Sequence, residues 1–308
     1  MLKGNFAHIS SFNQILFSLS LVVGSTFILL FLGALLSYLF FDINILVDTA
    51  ALDINADKAN IAALKFYQAI YSIGMFVIPP FIIAYLLSSH VRKYLEIDRL
   101  AKTSSFIIAS FLVLFSLPFI NMLGELNSQI HFPEFLKGVE EWMRNSEEHA
   151  ALITQKFLKM DGLADLITNL VLVAVIPALG EELLFRGVLQ KQLTKLTGSV
   201  HWGIFIAAFC FSALHVQFFG FFPRLFMGMM FGYLLVWTGS LWIPIGAHLL
   251  NNGLAVTASY MTNMGQLSEY AENIGSSEMM WGSSILSLLL ILILMYWLFK
   301  TRKRQVKC

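Results

Sequence analysis

The sequence is short of charge and of cysteine. Charged residues fill 13% of its 308 positions and cancel to a formal net charge of +1. That balance removes nucleic acid and acidic ligands from the expected partners, since both need a concentrated field of one sign. The two cysteines, Cys210 inside an apolar run and Cys308 at the end of the chain, lack the spacing of a metal knuckle and stand too far apart for a local disulfide. They read as a packing thiol and an exposed thiol. Nothing follows Cys308, so it forms no four-residue prenylation box and no lipidation is expected. Repeat periods and low-complexity tracts are missing too, which leaves one membrane domain as the simplest division. Within it, 1–160 holds N-terminal spans and an amphipathic loop, 161–262 a core rich in polar motifs, and 263–308 a last span with a basic tail.

What fills the chain is apolar: 57% of its residues, for a mean hydropathy of +0.73. A soluble domain of this length could not hide that much apolar surface. Several runs reach the roughly 18 or more residues that cross the ~30 Å hydrocarbon layer at ~1.5 Å per residue. Lipid cannot satisfy open backbone groups, so the expected fold is all-α, a polytopic transmembrane bundle of about eight spans. The spans are read at about 15–41, 66–88, 104–126, 161–189, 201–219, 223–237, 241–261 and 283–299. The first is longer than the apolar core of a signal peptide and has no small-residue cleavage site, so it is expected to remain as an anchor. Pro79 and Pro80 predict a kink in the second.

Loop charges set the orientation. The connection 90–102 carries Arg92, Lys93, Arg99 and Lys102, and the tail carries Lys300, Arg302, Lys303, Arg304 and Lys307. Counted by side, 12 Lys and Arg fall on one face and seven on the other, which puts both termini in the cytoplasm. The acidic stretch with Asp42, Asp48, Asp53 and Asp57 then lies outside, as do the cation-free loop 262–282 and the loop 127–160. The last of these alternates Glu134, Glu140, Glu141, Glu147 and Glu148 with apolar residues, a pattern for one or two interfacial helices.

Polar groups then appear where lipid should be. Span four contains Glu181, Glu182 and Arg186 within six residues, and each such group costs about 2.5–3.5 kcal/mol near the membrane centre unless partnered. On a helix Glu182 and Arg186, four apart, can pair, whereas Glu181 points roughly 140° away from the arginine. One carboxylate is thus buttressed and one is left for other work. Span five carries Phe211 and His215; span seven carries His248 and Asn252, one turn apart on one face and flanked by the small Gly246, Ala247 and Gly253. Singly, a membrane histidine is more often a hydrogen-bonding partner than a catalyst, and a Glu–Arg pair is a structural clamp. A free Glu, two His and an Asn on three spans together make a constellation suited to acid–base chemistry. The same buried ionisable groups also fit a transporter or proton relay.

The ordered set Glu181-Glu182-x-x-x-Arg186, Phe211-x-x-x-His215 and His248-x-x-x-Asn252, over about 163–258, resembles the CAAX protease and bacteriocin-processing family of intramembrane peptidases. That group includes type 2 CAAX prenyl endopeptidases and lysostaphin-resistance-like proteins. The resemblance implies that Glu181 is a general base acting with His215 on a water that attacks a peptide carbonyl. It further implies that His248 and Asn252 donate to the oxyanion, with Glu182, Arg186 and Phe211 in support. Two routes stay open: metal-independent water activation, or a zinc ion held by Glu181, His215 and His248. The implied partners are the lipid bilayer and a membrane-associated peptide or protein substrate. Some relatives act by binding, so a non-enzymatic immunity or scaffold protein on the same fold is also open. The Phe- and Ile-rich composition without organelle signals points to a bacterial cytoplasmic (inner) membrane. With span four ending at 189, Glu181 falls near its inner end while His215 sits some 14 residues into span five from that face. A bend at Pro177 and Gly180 or a shifted boundary is required, and the cavity is expected in the inner half, open to the cytoplasm.

Overall fold

The computed structural model describes residues 3–47, 58–267 and 281–305, all helices, turns and connections without a strand among them. Of the sequence features above, Asp48, Asp53 and Asp57, most of the loop 262–282, Lys307 and Cys308 lie outside the described residues, as do the side chains of Arg302, Lys303 and Arg304. The long helices are α1 (Ser11–Phe41), α2 (58–87), α3 (Thr103–Ser128), α4 (Lys137–Phe157), α5 (Leu163–Thr197), α6 (Val200–Leu214), α7 (Phe221–Thr238), α8 (Trp242–Asn263) and α9 (Trp281–Gln305).

Each of the eight expected spans coincides with a helix, and six of them are long and apolar enough to cross a bilayer. The two that fall short do so for legible reasons. α6 stops at Leu214 rather than 219 because His215 caps it and Val216 turns to a left-handed φ of 52°. α8 has the length, at 22 residues, but carries His248, Asn251 and Asn252 on its apolar ground. Most exposed side chains of α1 and α9 are apolar, among them Leu19, Phe27, Phe31, Leu286 and Ile293. Such surfaces suit lipid, not water. This is an integral, multi-pass membrane protein.

α1 begins where Ser10 Oγ accepts from Asn13 N at 3.2 Å and ends where Asp42, at φ 56°, turns its N–H back to Tyr38 O. These are ordinary cap devices, needed because terminal backbone groups have no partner in the helix. The prolines act as expected, in a specific form. A π turn, Ile73–Val77, immediately precedes Pro79 and Pro80 in α2, and another, Leu170–Val175, precedes Pro177 in α5. A ring that cannot donate and that crowds the carbonyl four residues back is accommodated by widening the turn before it. A third π turn, Leu183–Leu189, follows Glu182, so the Glu pair sits on a short α segment between two widened ones.

Close approach at two glycines brings the helices around that segment together. A Cβ on Gly180 would lie 2.7 Å from Phe76 Cβ of α2, and one on Gly228 of α7 would lie 2.9 Å from Ala208 Cβ of α6. The basic connection seals the opposite end: Ser240 Oγ donates to Arg99 O at 2.7 Å, Leu241 N to Glu96 O at 2.9 Å and Trp242 Nε1 to Ile97 O at 3.3 Å.

Candidate active site

α5 runs on to Thr197, eight residues past the expected end of span four. The correction removes the depth mismatch. Glu181 stands 16 residues before the α5 terminus and His215 15 residues after the α6 start, so each lies roughly 22–24 Å from the basic end at 1.5 Å per residue. α8 starts deeper. Leu241, just before it, packs at the level of Gly187, about 15 Å in, and His248 follows roughly 10 Å further on. Three helices with unequal registers therefore deliver Glu181, His215 and His248 to one level.

At that level lies a cavity of about 520 Å³, and Glu181, His215, His248 and Asn252 all line it. Its other walls include Ile153, Thr154, Phe157 and Leu158, from α4 and its C-terminal edge. The expectation of a cavity in the half nearer the basic connection is thereby corrected. The basic connection 90–102 is at the far end of α5 and α8, and the cavity faces the amphipathic helix instead. α4 is held there by its own bonds: Phe157 O accepts from Asn169 Nδ2 at 2.9 Å, and Leu158 O from Asn263 Nδ2 at 2.8 Å. Arg144 also lies over the Phe219 ring at 4.7 Å.

Glu182 has no exposed surface. Its Oε1 accepts from Arg186 Nη1 at 2.7 Å, the pair predicted from their four-residue spacing, and also from His248 Nδ1 at 2.9 Å. The second bond was not legible, because the register of α8 against α5 is a tertiary fact. Arg186 spends its other arm on Gly228 O at 3.1 Å and lies over the rings of Phe211, 4.7 Å from its centroid, and Phe231, at 5.6 Å. A buried guanidinium needs partners of this kind on every side. Phe231 also stacks on His248, with centroids 5.4 Å apart.

A carboxylate only accepts, so the His248 proton facing Glu182 is on Nδ1, and Nε2 is left facing Glu181 Oε2 at 3.8 Å. His215 is fixed the same way. Its Nδ1 donates to Phe211 O at 2.9 Å, one turn back, and the Phe211 ring meets it edge-on at 5.1 Å. The Phe-x-x-x-His spacing thus serves two purposes, a carbonyl that fixes the histidine tautomer and a ring that receives Arg186. Asn252 Nδ2 donates to Val173 O at 2.9 Å, and its Oδ1 accepts from Asn251 Nδ2 at 3.1 Å. Val173 is four residues before Pro177, so its carbonyl is the one that a proline at 177 cannot reach in an α-helix. Asn252 supplies the donor that Pro177 lacks, and one of its amide hydrogens remains uncommitted.

The sequence reading missed Arg224, at the start of α7 on the cavity wall. Its Nη1 donates to Gln217 O at 3.0 Å and its Nη2 to Gln217 Oε1. Counted only as a loop cation, it had no motif to mark it; nine residues separate it from His215. Among the described residues no three His, Cys, Asp or Glu side chains come together closely enough to hold a metal ion. Glu181, His215 and His248 thus stand apart as placed, while both histidines hold Nδ1 in a hydrogen bond and leave Nε2 as the nitrogen a metal would take.

No solved structure matches this chain. Over 88 residues it is 31% identical to "Uncharacterized protein YpbD" of Bacillus subtilis (strain 168), a match that takes in 27% of this chain and 42% of that relative. Residues 163–254, from the start of α5 to just beyond Asn252, match the family model described as Type II CAAX prenyl endopeptidase Rce1-like, so the segment that carries Glu181, His215, His248 and Asn252 is similar to that family.

Proposed function

We propose that the protein is an intramembrane endopeptidase that hydrolyses a peptide bond of a membrane-associated protein or peptide, using Glu181 as general base. The observation that carries this reading is the convergence of Glu181, His215, His248 and Asn252 on one cavity, with His248 set between Glu181 and the Arg186-anchored Glu182. His215, with its proton on Nδ1, offers the Nε2 lone pair to the water that Glu181 deprotonates. The working state of the Glu181–His248 pair holds one proton on Nε2, so that His248 donates to the oxyanion beside the uncommitted Asn252 hydrogen. The water oxygen bonds to the carbonyl carbon as its proton passes to Glu181. That proton then moves to the amine nitrogen as the C–N bond breaks. Fixed donors in a cavity shielded from bulk water are worth about 2.7–4 kcal/mol each to such a step.

In this reading the chain crosses the bilayer eight times with both termini inside, in a bacterial cytoplasmic membrane. The cavity is then open toward the outer, α4 side. Comparing the membrane proteomes of cells carrying wild type and Glu181→Gln tests the reading. An uncut precursor should accumulate in the variant while the variant protein itself stays at wild-type abundance. Identical cleavage patterns in the two strains would remove Glu181 as the base.

A further inference from the structure

A second hollow, of about 650 Å³, opens at the basic end of the bundle, far from the catalytic cavity. It lies where α5 ends, α6 begins, α7 ends and the connection 90–102 crosses them. Its floor is apolar, with Val200, Leu235 and Val236. Its rim carries Lys93, Arg99, Lys191 and Lys195 against the carboxylates of Glu96 and Asp98. A neighbouring hollow of about 580 Å³ shares Lys93 and Asp98 and adds Lys3 and Arg92.

Both carboxylates are already taken. Lys191 Nζ sits 2.9 Å from Glu96 Oε1 and also donates to Tyr94 O, and Arg99 Nε lies 3.8 Å from Asp98 Oδ2. Burial pushes the Tyr94 hydroxyl above its ordinary range, so it adds no negative charge. Lys93 and Lys195 are left without an ion pair among the described residues. A membrane protein needs basic residues on this face for orientation alone, but orientation does not require them to ring a cavity with an apolar floor. That combination, cations at headgroup depth above a surface fit for glycerol and acyl carbons, is the form of a phosphate site for lipid.

We propose that this hollow binds the phosphate group of an anionic phospholipid, held by Lys93 and Lys195 with Lys191 as a positioned third cation. The site is independent of the peptidase reading. Its test is a thermal-unfolding titration of the purified full chain in a non-ionic detergent, with phosphatidylglycerol, phosphatidylcholine or inorganic phosphate added. Phosphatidylglycerol should raise the midpoint and phosphatidylcholine should not. Each cation near an anionic headgroup is worth about 5-fold in affinity, so Lys93→Gln with Lys195→Gln should raise the half-saturating concentration roughly 30-fold. The midpoint of that double variant without lipid should match wild type. Glu96→Gln, which frees Lys191, should lower the half-saturating concentration. A midpoint shift with inorganic phosphate equal to that with phosphatidylglycerol would keep the site and make soluble phosphate its source. Equal response to the two lipids, or an unchanged titration in the double variant, would overturn it.

Discussion

Replacing Glu182 by Gln tests the logic of the polar cluster where it is most exposed to error. The carboxylate is fully buried, and one of its oxygens accepts two bonds, from Arg186 and His248. Gln keeps the shape and an acceptor oxygen but removes the charge, which leaves the Arg186 guanidinium, itself 1% exposed, uncompensated in the bundle. Breaking a buried pair in this way costs about 3–5 kcal/mol. Removing both charges with Glu182→Leu and Arg186→Met should cost less, because no buried charge remains. What is left is the stranded His248 Nδ1–H, at about 1–3 kcal/mol, since the Gly228 carbonyl lies inside α7 and keeps its bond within that helix. Unfolding in mixed detergent micelles, followed by tryptophan fluorescence and circular dichroism, should therefore rank wild type, double variant and single variant in falling stability. A single variant within about 1 kcal/mol of wild type, or a double variant no better than the single, would refute the view that Glu182 exists to neutralise Arg186.

Asn252→Leu should cost only about 1 kcal/mol of stability, the usual worth of one interhelical bond in a membrane, yet lower cleavage about 100-fold or more if its second hydrogen serves the oxyanion. Parallel measurement of unfolding and of precursor processing separates the two, and losses in proportion would make Asn252 a strut for Val173 alone. Gly228→Leu should destabilise by about 1–3 kcal/mol or more through overpacking, since even a Cβ there meets Ala208 at 2.9 Å and Arg186 Nη2 at 3.4 Å; a wild-type unfolding midpoint would contradict the packing of α6 on α7. Glu140, on α4 outside the spans, accepts from Phe132 N, Arg144 and His131, which hold its carboxyl down at about 2 against an ordinary 4.5. A depressed acid contributes stability above its ordinary value and loses it as pH falls through the folded one. Amide protection at 131–144, taken relative to the intrinsic exchange rate at each pH, should accordingly hold down to about pH 4.5 and fall between there and pH 2, and Glu140→Gln should show low protection throughout.

The helices themselves were legible because long apolar runs in lipid have one solution. The Glu182–Arg186 pair was legible because it is a local fact of helix geometry. Depth was not, and the reason is specific. The segment 190–197, QKQLTKLT, reads as the polar end of a span, yet α5 continues through it because Gln190 and Gln192 are bonded, to Gly232 O at 3.3 Å and Ser18 Oγ at 2.7 Å, and so can be buried. A hydropathy reading stops at residues whose cost other helices cover.

Tertiary pairing likewise decided the use of α4. Its alternation of Glu with apolar residues announced a surface helix, and nothing local could say that Ile153, Phe157 and Leu158 would close the cavity that Glu181 lines. Yet one link across the site can be followed from sequence alone once the fold is known. Pro177 removes the backbone donor that Val173 O would otherwise receive, and the π turn before it widens α5 on the side facing α8. Asn252 fills that vacancy at 2.9 Å. The same bond sets the register of α8, and one turn earlier on α8 that register lays His248 between Glu181 and Glu182. A proline four residues before Glu181 is thus tied to the placement of a histidine 67 residues beyond that Glu. The acidic pair, the proline before it and the Asn after the histidine are parts of one joint.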